Sequence, residues 1–385
     1  MEVFTKQDHF YMQRAISLAK KGHYTTSPNP RVGCVLVKND QVIGEGFHQK
    51  AGCGHAEVNA LLACRQSKKS PQGATAYVTL EPCSHFGQTP PCANGFIKAG
   101  IKHVVIAMVD PNPKVSGKGI SMLEDAGITT SRGLLQADAM ALNKGFVSLM
   151  TTGLPYVRCK LAASLDGKTA MANGESKWIT SPEARKNVQK LRAQSCAVIT
   201  GADSVLTDDA RMNVRYQELG ELQKHFSEAQ LRQPIRVIID SKNRLTPDLA
   251  LFELASPIIL IRTNIKDKTL WPPFVEQLQC SSIDNGAGEE KVNLAELLVL
   301  LAKRGFNDLL IESGGQLAGA FIEQNLVDEL ILFQAPKLMG GKGKSLVQLP
   351  SINELSSAKK LSINEVIMIG PDIRITATFK VAQSD

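Results

Sequence analysis

Three short motifs restrict this chain more than anything else in it: His55-Ala56-Glu57, Pro82-Cys83 and Pro91-Cys92. One imidazole and two thiolates are donor types that zinc takes, and only a fold that brings separate segments to one point joins them. Three protein ligands leave a fourth position open for water, whereas a closed structural site normally shows a fourth Cys or His at short spacing. Glu57 stands two residues after the first ligand, where a carboxylate serves as proton-shuttling base beside a metal-bound water. A metal held by His55, Cys83 and Cys92 would bring the pKa of that water to roughly 7 and supply hydroxide at neutral pH. The competing reading is a structural zinc knuckle, or no metal at all. Cys53 and Cys64 are nearby thiols that compete for coordination, and both read more simply as packed or exposed side chains.

The pattern H-x-E followed by P-C-x-x-C belongs to the zinc deaminases, which attack an amidine-like ring carbon and release ammonia. This sequence keeps the first half and the Pro-Cys, but eight residues separate Cys83 from Cys92 instead of two. The run Thr79-Leu80-Glu81-Pro82-Cys83-Ser84-His85, followed by Thr89-Pro90-Pro91-Cys92, resembles the bifunctional deaminase/reductase family of riboflavin biosynthesis. The resemblance continues upstream in Asn29-Pro30-Arg31-Val32-Gly33 and in His55-Ala56-Glu57-Val58. Downstream it takes in Asp110-Pro111-Asn112-Pro113 and Leu161-Ala162-Ala163-Ser164-Leu165-Asp166-Gly167-Lys168, so it runs through nearly the whole chain in order.

That resemblance implies an α/β protein in two parts: an N-terminal cytidine-deaminase-like three-layer α/β/α domain, then a dihydrofolate-reductase-like α/β domain. It implies Zn2+ and NADPH as cofactors. The first part would hydrolytically deaminate 2,5-diamino-6-ribosylamino-4(3H)-pyrimidinone 5′-phosphate, with Glu57 as the catalytic base and His55, Cys83 and Cys92 as ligands. The second would reduce the ribosyl group to ribityl. Asn29, His48 and His85 would touch the pyrimidine; the alternative for His48 and for His85 is a loop-stabilising hydrogen bond. Members often carry Lys or Arg where this chain has Gln88, which donates a hydrogen bond but brings no charge to a phosphate.

In the second half the resemblance assigns Ala162, Trp178, Ser204, Asp208, Ser241 and the turn Gly314, Gly315, Gln316, Leu317, Ala318, Gly319 and Ala320 to NADPH. Ser176, Arg192, Met212, Arg215 and Glu312 fall to the substrate. Arg192 and Arg215 suit a phosphate, because guanidinium pairs with it bidentately. The simpler alternatives are a solvated helix face for Arg192 and a core aromatic for Trp178. From the residues alone, Glu312-Ser313-Gly314-Gly315 ending a strand is a phosphate-accommodating turn or merely a tight strand-to-helix connection. There is no G-x-G-x-x-G fingerprint in the chain. Asp166 reads as a turn residue.

Length and composition are consistent with this division. At 385 residues two domains are expected, since single cores rarely grow beyond ~250–300 residues, and 43% apolar content is ordinary. Met1 to Phe10 lacks the apolar core of a signal peptide, and the most apolar run, Leu297 to Ala302, is far too short to span a bilayer. The expectation is a cytoplasmic protein with reduced cysteines, eight in all. A net charge of +7 suits phosphorylated small molecules, and no basic block with interleaved aromatics points to nucleic acid. No membrane partner is expected; a homo-oligomer is.

Periodicity places a helix over Phe10 to Lys21 capped by Asp8, then a hairpin of Val32 to Val37 and Val42 to Phe47 turned by Asn39-Asp40. A helix from His55 to about Cys64, a strand Ala74 to Leu80, a helix Ala93 to Ala99 and a strand His103 to Met108 follow. Thr151-Thr152-Gly153 reads as the linker, with domains at 1–147 and 148–385. The second domain opens with a strand at Tyr156 to Ala162 and a helix starting at Thr180-Ser181-Pro182-Glu183, with Thr180 as the cap. Further strands at 197–200, 235–239, 258–261 and 308–311, with helices at 293–303 and 316–324, imply a largely parallel sheet closed by antiparallel strands at 328–335, 361–369 and 373–379. The rival enzyme reading is a nucleoside, nucleotide or transfer-RNA deaminase with an appended binding domain. A metal-dependent binding module with a silent centre is the rival from another class.

Overall fold

A computed structural model describes residues 3–84, 91–265, 269–284 and 290–379. The chain divides into two compact units after Leu154. The first contains α1 (Lys6–Lys21), β1 (Gly33–Lys38), β2 (Gln41–Phe47), α2 (Ala56–Gln66), β3 (Thr75–Leu80), α3 (Cys92–Ala99), β4 (His103–Met108), α4 (Lys118–Asp125), β5 (Thr129–Arg132), α5 (Gln136–Leu142) and α6 (Lys144–Thr152). Its sheet runs β2-β1-β3-β4-β5, antiparallel at β2-β1-β3 and parallel beyond. Asn39 and Asp40 both have positive φ, as a two-residue hairpin turn whose twist matches the strands requires, and Asn and Asp tolerate it.

Helices cover both faces of this sheet because glycines let them come close. A Cβ on Gly33 would stand 2.0 Å from the carbonyl of Ala15 in α1. On the opposite face, one on Gly46 would stand 2.4 Å from the carbonyl of Ala56 in α2. The α1 helix begins earlier than its apolar spacing indicates. Thr5 is the N-cap and Asp8 is its partner three residues on, the two closing a capping box, so Asp8 is not itself the cap. The α6 helix runs through residue 148 to Thr152 and stops at Gly153, whose φ of 75° ends it. Thr151 and Thr152 are therefore the last helical turn and no linker, since each hydroxyl bonds back to a carbonyl four residues earlier.

The second unit contains β6 (Tyr156–Ser164), β7 (Lys168–Ala170), α7 (Pro182–Gln194), β8 (Ala197–Gly201), α8 (Ala202–Asp208), β9 (Ile235–Ile239), β10 (Ile258–Arg262), β11 (Val275–Gln279), β12 (Ser282–Asp284), β13 (Glu290–Val292), α9 (Leu294–Lys303), β14 (Asp308–Glu312), α10 (Gly315–Glu323), β15 (Glu329–Ala335), β16 (Lys344–Ser345), β17 (Leu361–Ile369) and β18 (Asp372–Phe379). Nine of these strands form one sheet in the order β11-β10-β9-β8-β14-β6-β15-β18-β17. It is parallel from β11 to β15 and antiparallel at its last two pairings, as the alternation of strands and helices implies. The cap of α7 is Ser181, which accepts from the Ala184 amide, and not Thr180; Pro182 occupies the first helical position, where its missing N–H costs nothing. No helix among the described residues is long and apolar enough to cross a membrane.

Candidate active sites

In the first unit, helix starts and one strand end converge. His55 is the N-cap of α2 and Glu57 lies in its first turn, Cys92 is the first residue of α3, and Cys83 follows the end of β3. His55 Nδ1 stands 3.3 Å from Cys92 Sγ and 3.7 Å from Cys83 Sγ, and all three donor atoms lie within 4.8 Å of one another. Zinc ligands at about 2.0–2.3 Å from a shared tetrahedral centre stand roughly 3.6 Å apart, so the donor set fits the ion in type, number and spacing. Cys53 is exposed and Cys64 is buried with its thiol on the Lys69 carbonyl; neither joins the cluster.

The Cys92 amide donates to Cys83 Sγ at 3.2 Å, and the amide of Ala93 to the Cys83 carbonyl, so α3 clasps the second ligand with its own N-terminus. Hydrogen bonding from Cys92 pulls the Cys83 thiol well below its ordinary value, with His55 adding to the effect. The same contact and burial push Cys92 up. One thiolate is thus already favoured in the cluster, as a metal ligand must be. Glu57 is 4% exposed, and burial pushes its carboxyl up to about 7.

Asn29 and His48 come to the same place. Asn29 Nδ2 lies 3.2 Å from His48 Nε2, whose other ring nitrogen lies 3.2 Å from the Gly54 carbonyl. The His48 ring meets that of His55 edge-on with centroids 5.6 Å apart. Burial lowers the pKa of His48. His85 and Gln88 lie outside the described residues.

Sequence reasoning missed the residue that holds this strand end in place. Glu81 is buried, and its Oε2 accepts from the amides of Asp110 and Gly117, each at 3.0 Å. Its Oε1 accepts from Gly119 at 2.9 Å and Ile120 at 3.4 Å. One carboxylate therefore ties the residue before Pro82-Cys83 to the start of α4. The signal was an acidic residue directly after a largely apolar strand that the structure buries.

In the second unit, a cleft of about 1430 Å³ opens at the carboxyl ends of β6, β8, β9 and β14, where open α/β sheets hold their ligands. It is larger than the usual 300–1,000 Å³ of a small-molecule pocket. Ala162, Ser176, Trp178, Arg192, Ser204, Asp208, Met212, Arg215, Ser241, Glu312, Gly314, Gly315, Gln316, Leu317 and Ala320 all line it. Ala318 and Gly319 do not. They fall on the buried side of α10, where a Cβ on Gly319 would stand 2.0 Å from the Gln348 carbonyl. Gly315 serves a close approach of the same kind, to the Leu346 carbonyl at 2.7 Å.

Arg192 is no solvated helix residue. It forks onto Glu312, Nε to Oε1 at 2.6 Å and Nη2 to Oε2 at 2.9 Å, with both side chains largely buried. Burial works upward on the Glu312 carboxyl, but Arg192 outweighs it and holds the group below its ordinary range. Arg215 pairs with Glu218 at 2.5 Å, and Met212 takes a positive φ with its side chain buried. Trp178 is 63% exposed on the cleft, not in the core, with the Arg185 guanidinium 4.5 Å from its ring. Lys160, which sequence reasoning passed over as one residue of a strand, also lines the cleft, and burial lowers its pKa. Lining cations outnumber acids ten to five, which favours anionic ligands.

Comparison with known proteins matches both units. Residues 5–108 match the cytidine and deoxycytidylate deaminase zinc-binding region, and residues 155–375 match the RibD C-terminal domain. The riboflavin biosynthesis protein RibD of Haemophilus influenzae is 50% identical over 378 residues, 98% of this chain and 99% of that one. The structure of Acinetobacter baumannii RibD superposes with a TM-score of 0.87 at 43% identity, over 98% of this chain and 99% of that one. A Thermotoga maritima diaminohydroxyphosphoribosylaminopyrimidine deaminase/5-amino-6-(5-phosphoribosylamino)uracil reductase gives a TM-score of 0.84 at 33% identity, covering 97% and 99%. Matched end to end in this way, the chain belongs to the RibD family of bifunctional riboflavin biosynthesis enzymes, a zinc-binding deaminase unit followed by a reductase unit.

Proposed function

We propose that the first unit deaminates 2,5-diamino-6-ribosylamino-4(3H)-pyrimidinone 5′-phosphate and that the second reduces the ribosyl group of the product to ribityl with NADPH. The observation that carries the reading is the convergence of His55, Cys83 and Cys92 around a buried Glu57, in a chain whose other unit carries a cation-rich cleft. His55, Cys83 and Cys92 hold zinc, which when bound supplies the Lewis acid that lets water ionise near neutral pH. Glu57 takes a proton from the attacking water at its carboxylate and delivers it to the departing amine. Asn29 Nδ2 and the His48 ring, coupled at 3.2 Å, orient the pyrimidine.

In the second unit Ala162, Trp178, Ser204, Asp208, Ser241 and the α10 start at Gly314–Leu317 with Ala320 border the dinucleotide, which supplies the hydride when bound. The short side chains and backbone amides there let a pyrophosphate approach a helix N-terminus. Ser176, Met212 and Arg215 border the sugar phosphate, and the Arg192–Glu312 pair fixes the ribose. The task of this site is positioning, since hydride transfer requires no protein nucleophile. The chain acts in the cytoplasm as a homo-oligomer, with no nucleic-acid or membrane partner.

The test supplies the diaminopyrimidinone ribosylamine phosphate and follows ammonia and NADPH absorbance together. Ammonia followed by equimolar NADPH oxidation is expected. Ammonia without NADPH oxidation would remove the reductase assignment, and ammonia from cytidine but not from this substrate would replace the deaminase one.

A further inference from the structure

Between α8 and β9 the chain runs through residues 211–214 with no helix or strand of its own, yet Arg211 and Met212 line the cleft there and Arg215 follows at once. Met212 takes a φ of 55°, a left-handed backbone that persists in a residue with a side chain only where the surroundings fix it. The fixing comes from side chains. Arg236 of β9 donates to the Arg211 carbonyl at 3.3 Å, and Arg192 of α7 to the Asn213 carbonyl at 2.8 Å. Gln189 of α7, itself 2% exposed, accepts from the Arg215 amide at 3.0 Å.

The fullest hold is at Val214. Gln233, just before β9, accepts from the Val214 amide at 2.8 Å through Oε1 and donates to the Val214 carbonyl at 2.9 Å through Nε2. One carboxamide thus satisfies both main-chain groups of one residue, as a facing strand residue would. Only Asn and Gln set a neutral donor and a neutral acceptor side by side in this way, and Asn is a methylene shorter. The Val214 side chain is buried, so both its ends are held. Gln233 does not line the cleft.

Arg215 leaves from this fixed point. Its guanidinium forks onto Glu218 at 2.5 and 3.0 Å, and its side chain is 46% exposed beside the cleft. A long side chain is placed only as well as the backbone that carries it, and a shift of ~1 Å can weaken a site by about 10²-fold.

We propose that Gln233 is a positioning residue of the second site: by clamping Val214 it sets Arg215 to meet the phosphate of the sugar substrate. The inference rests on the assignment of Arg215 to that phosphate. A phosphate remote from the reacting carbon is gripped alike in ground and transition states, so loosening the grip raises KM and leaves kcat.

The test is steady-state reduction of supplied deaminated intermediate by the full chain, as wild type, Gln233→Met, Arg215→Ala and the double variant. Met fills similar space without the polar groups. Gln233→Met should raise KM for the intermediate by about tenfold, with kcat and the KM for NADPH unchanged. Arg215→Ala should raise the same KM at least as far, and the double variant should be no worse than Arg215→Ala alone, because the two residues act through one contact. A chain that merely folds less completely would lose kcat and keep both KM values. Should Gln233→Met fail to fold, Gln233→Glu, which keeps the acceptor and lacks the donor, takes its place in the cycle. An unchanged KM in the Gln233 variant, or losses that multiply in the double variant, would overturn the inference alone. A wild-type KM in Arg215→Ala would overturn the phosphate assignment and the inference with it. No reduction by wild type would remove the reductase reading and both.

Discussion

Arg192 on α7 and Glu312 at the end of β14 meet fork to carboxylate at 2.6 and 2.9 Å, and the remaining Arg192 nitrogen donates to the Asn213 carbonyl at 2.8 Å. Such geometry belongs to guanidinium and not to ammonium. Arg192→Lys keeps the charge and loses the fork. Reduction of supplied deaminated intermediate should fall in kcat/KM by at least about tenfold, which is roughly 1.4 kcal/mol, with ammonia release unchanged. An equal loss in both activities would mean that the change acts through folding.

Glu81 predicts a different kind of loss. Its two oxygens take four backbone amides, and an amide side chain keeps only one acceptor oxygen. Glu81→Gln should destabilise the first unit by about 1–3 kcal/mol, the range for a buried donor left without a partner. Because Cys83 lies two residues on, zinc should also be lost at lower chelator concentration than from wild type. A variant with reduced stability and unchanged zinc retention would confine Glu81 to the fold.

These two residues also mark what the sequence revealed and what it hid. The triad and Glu57 were legible because ligand chemistry demands particular side chains at particular places; two helix starts deliver His55, Glu57 and Cys92, and a strand end delivers Cys83. The order of the main helices and strands was legible, since β9, β10 and β14 are mostly apolar, but the polar strands β11, β12 and β13 carry no such signal and escaped it. The partner of Arg192 lies 120 residues away, and nothing local to either residue shows the pair. Glu81 and Lys160 look like ordinary polar residues of strands until the sheet places them. Ala318 and Gly319 belong to the same motif as Gly315, but a helix turns them to its buried side. The register slip of β17 between Ile363 and Glu365 is invisible in the sequence, because it changes which face each side chain takes and not the composition of the strand.

Asp166 gives a pH signature in the second unit. The Ser164 hydroxyl, then the amides of Met339 and Gly340, hold its carboxyl at about 2 against an ordinary 3.8. A folded pKa below the unfolded one means that the carboxylate's contribution is complete above about pH 4 and fades as pH falls through about 2. Asp166→Asn should therefore melt below wild type at pH 5, with the gap closing as pH drops towards 2. A gap that stays constant over that range would show that the charge is not what ties the turn to Met339 and Gly340.

The central claim is that Glu57 moves the proton while His55, Cys83 and Cys92 hold the metal. The direct measurement is zinc content, ammonia release and NADPH-dependent reduction, all on one preparation of Glu57→Gln beside wild type. The variant should bind zinc at wild-type stoichiometry, lose deamination by about 10²–10⁴-fold, and reduce the supplied deaminated intermediate as wild type does. Ammonia release within a few-fold of wild type, with zinc in place, would contradict the account.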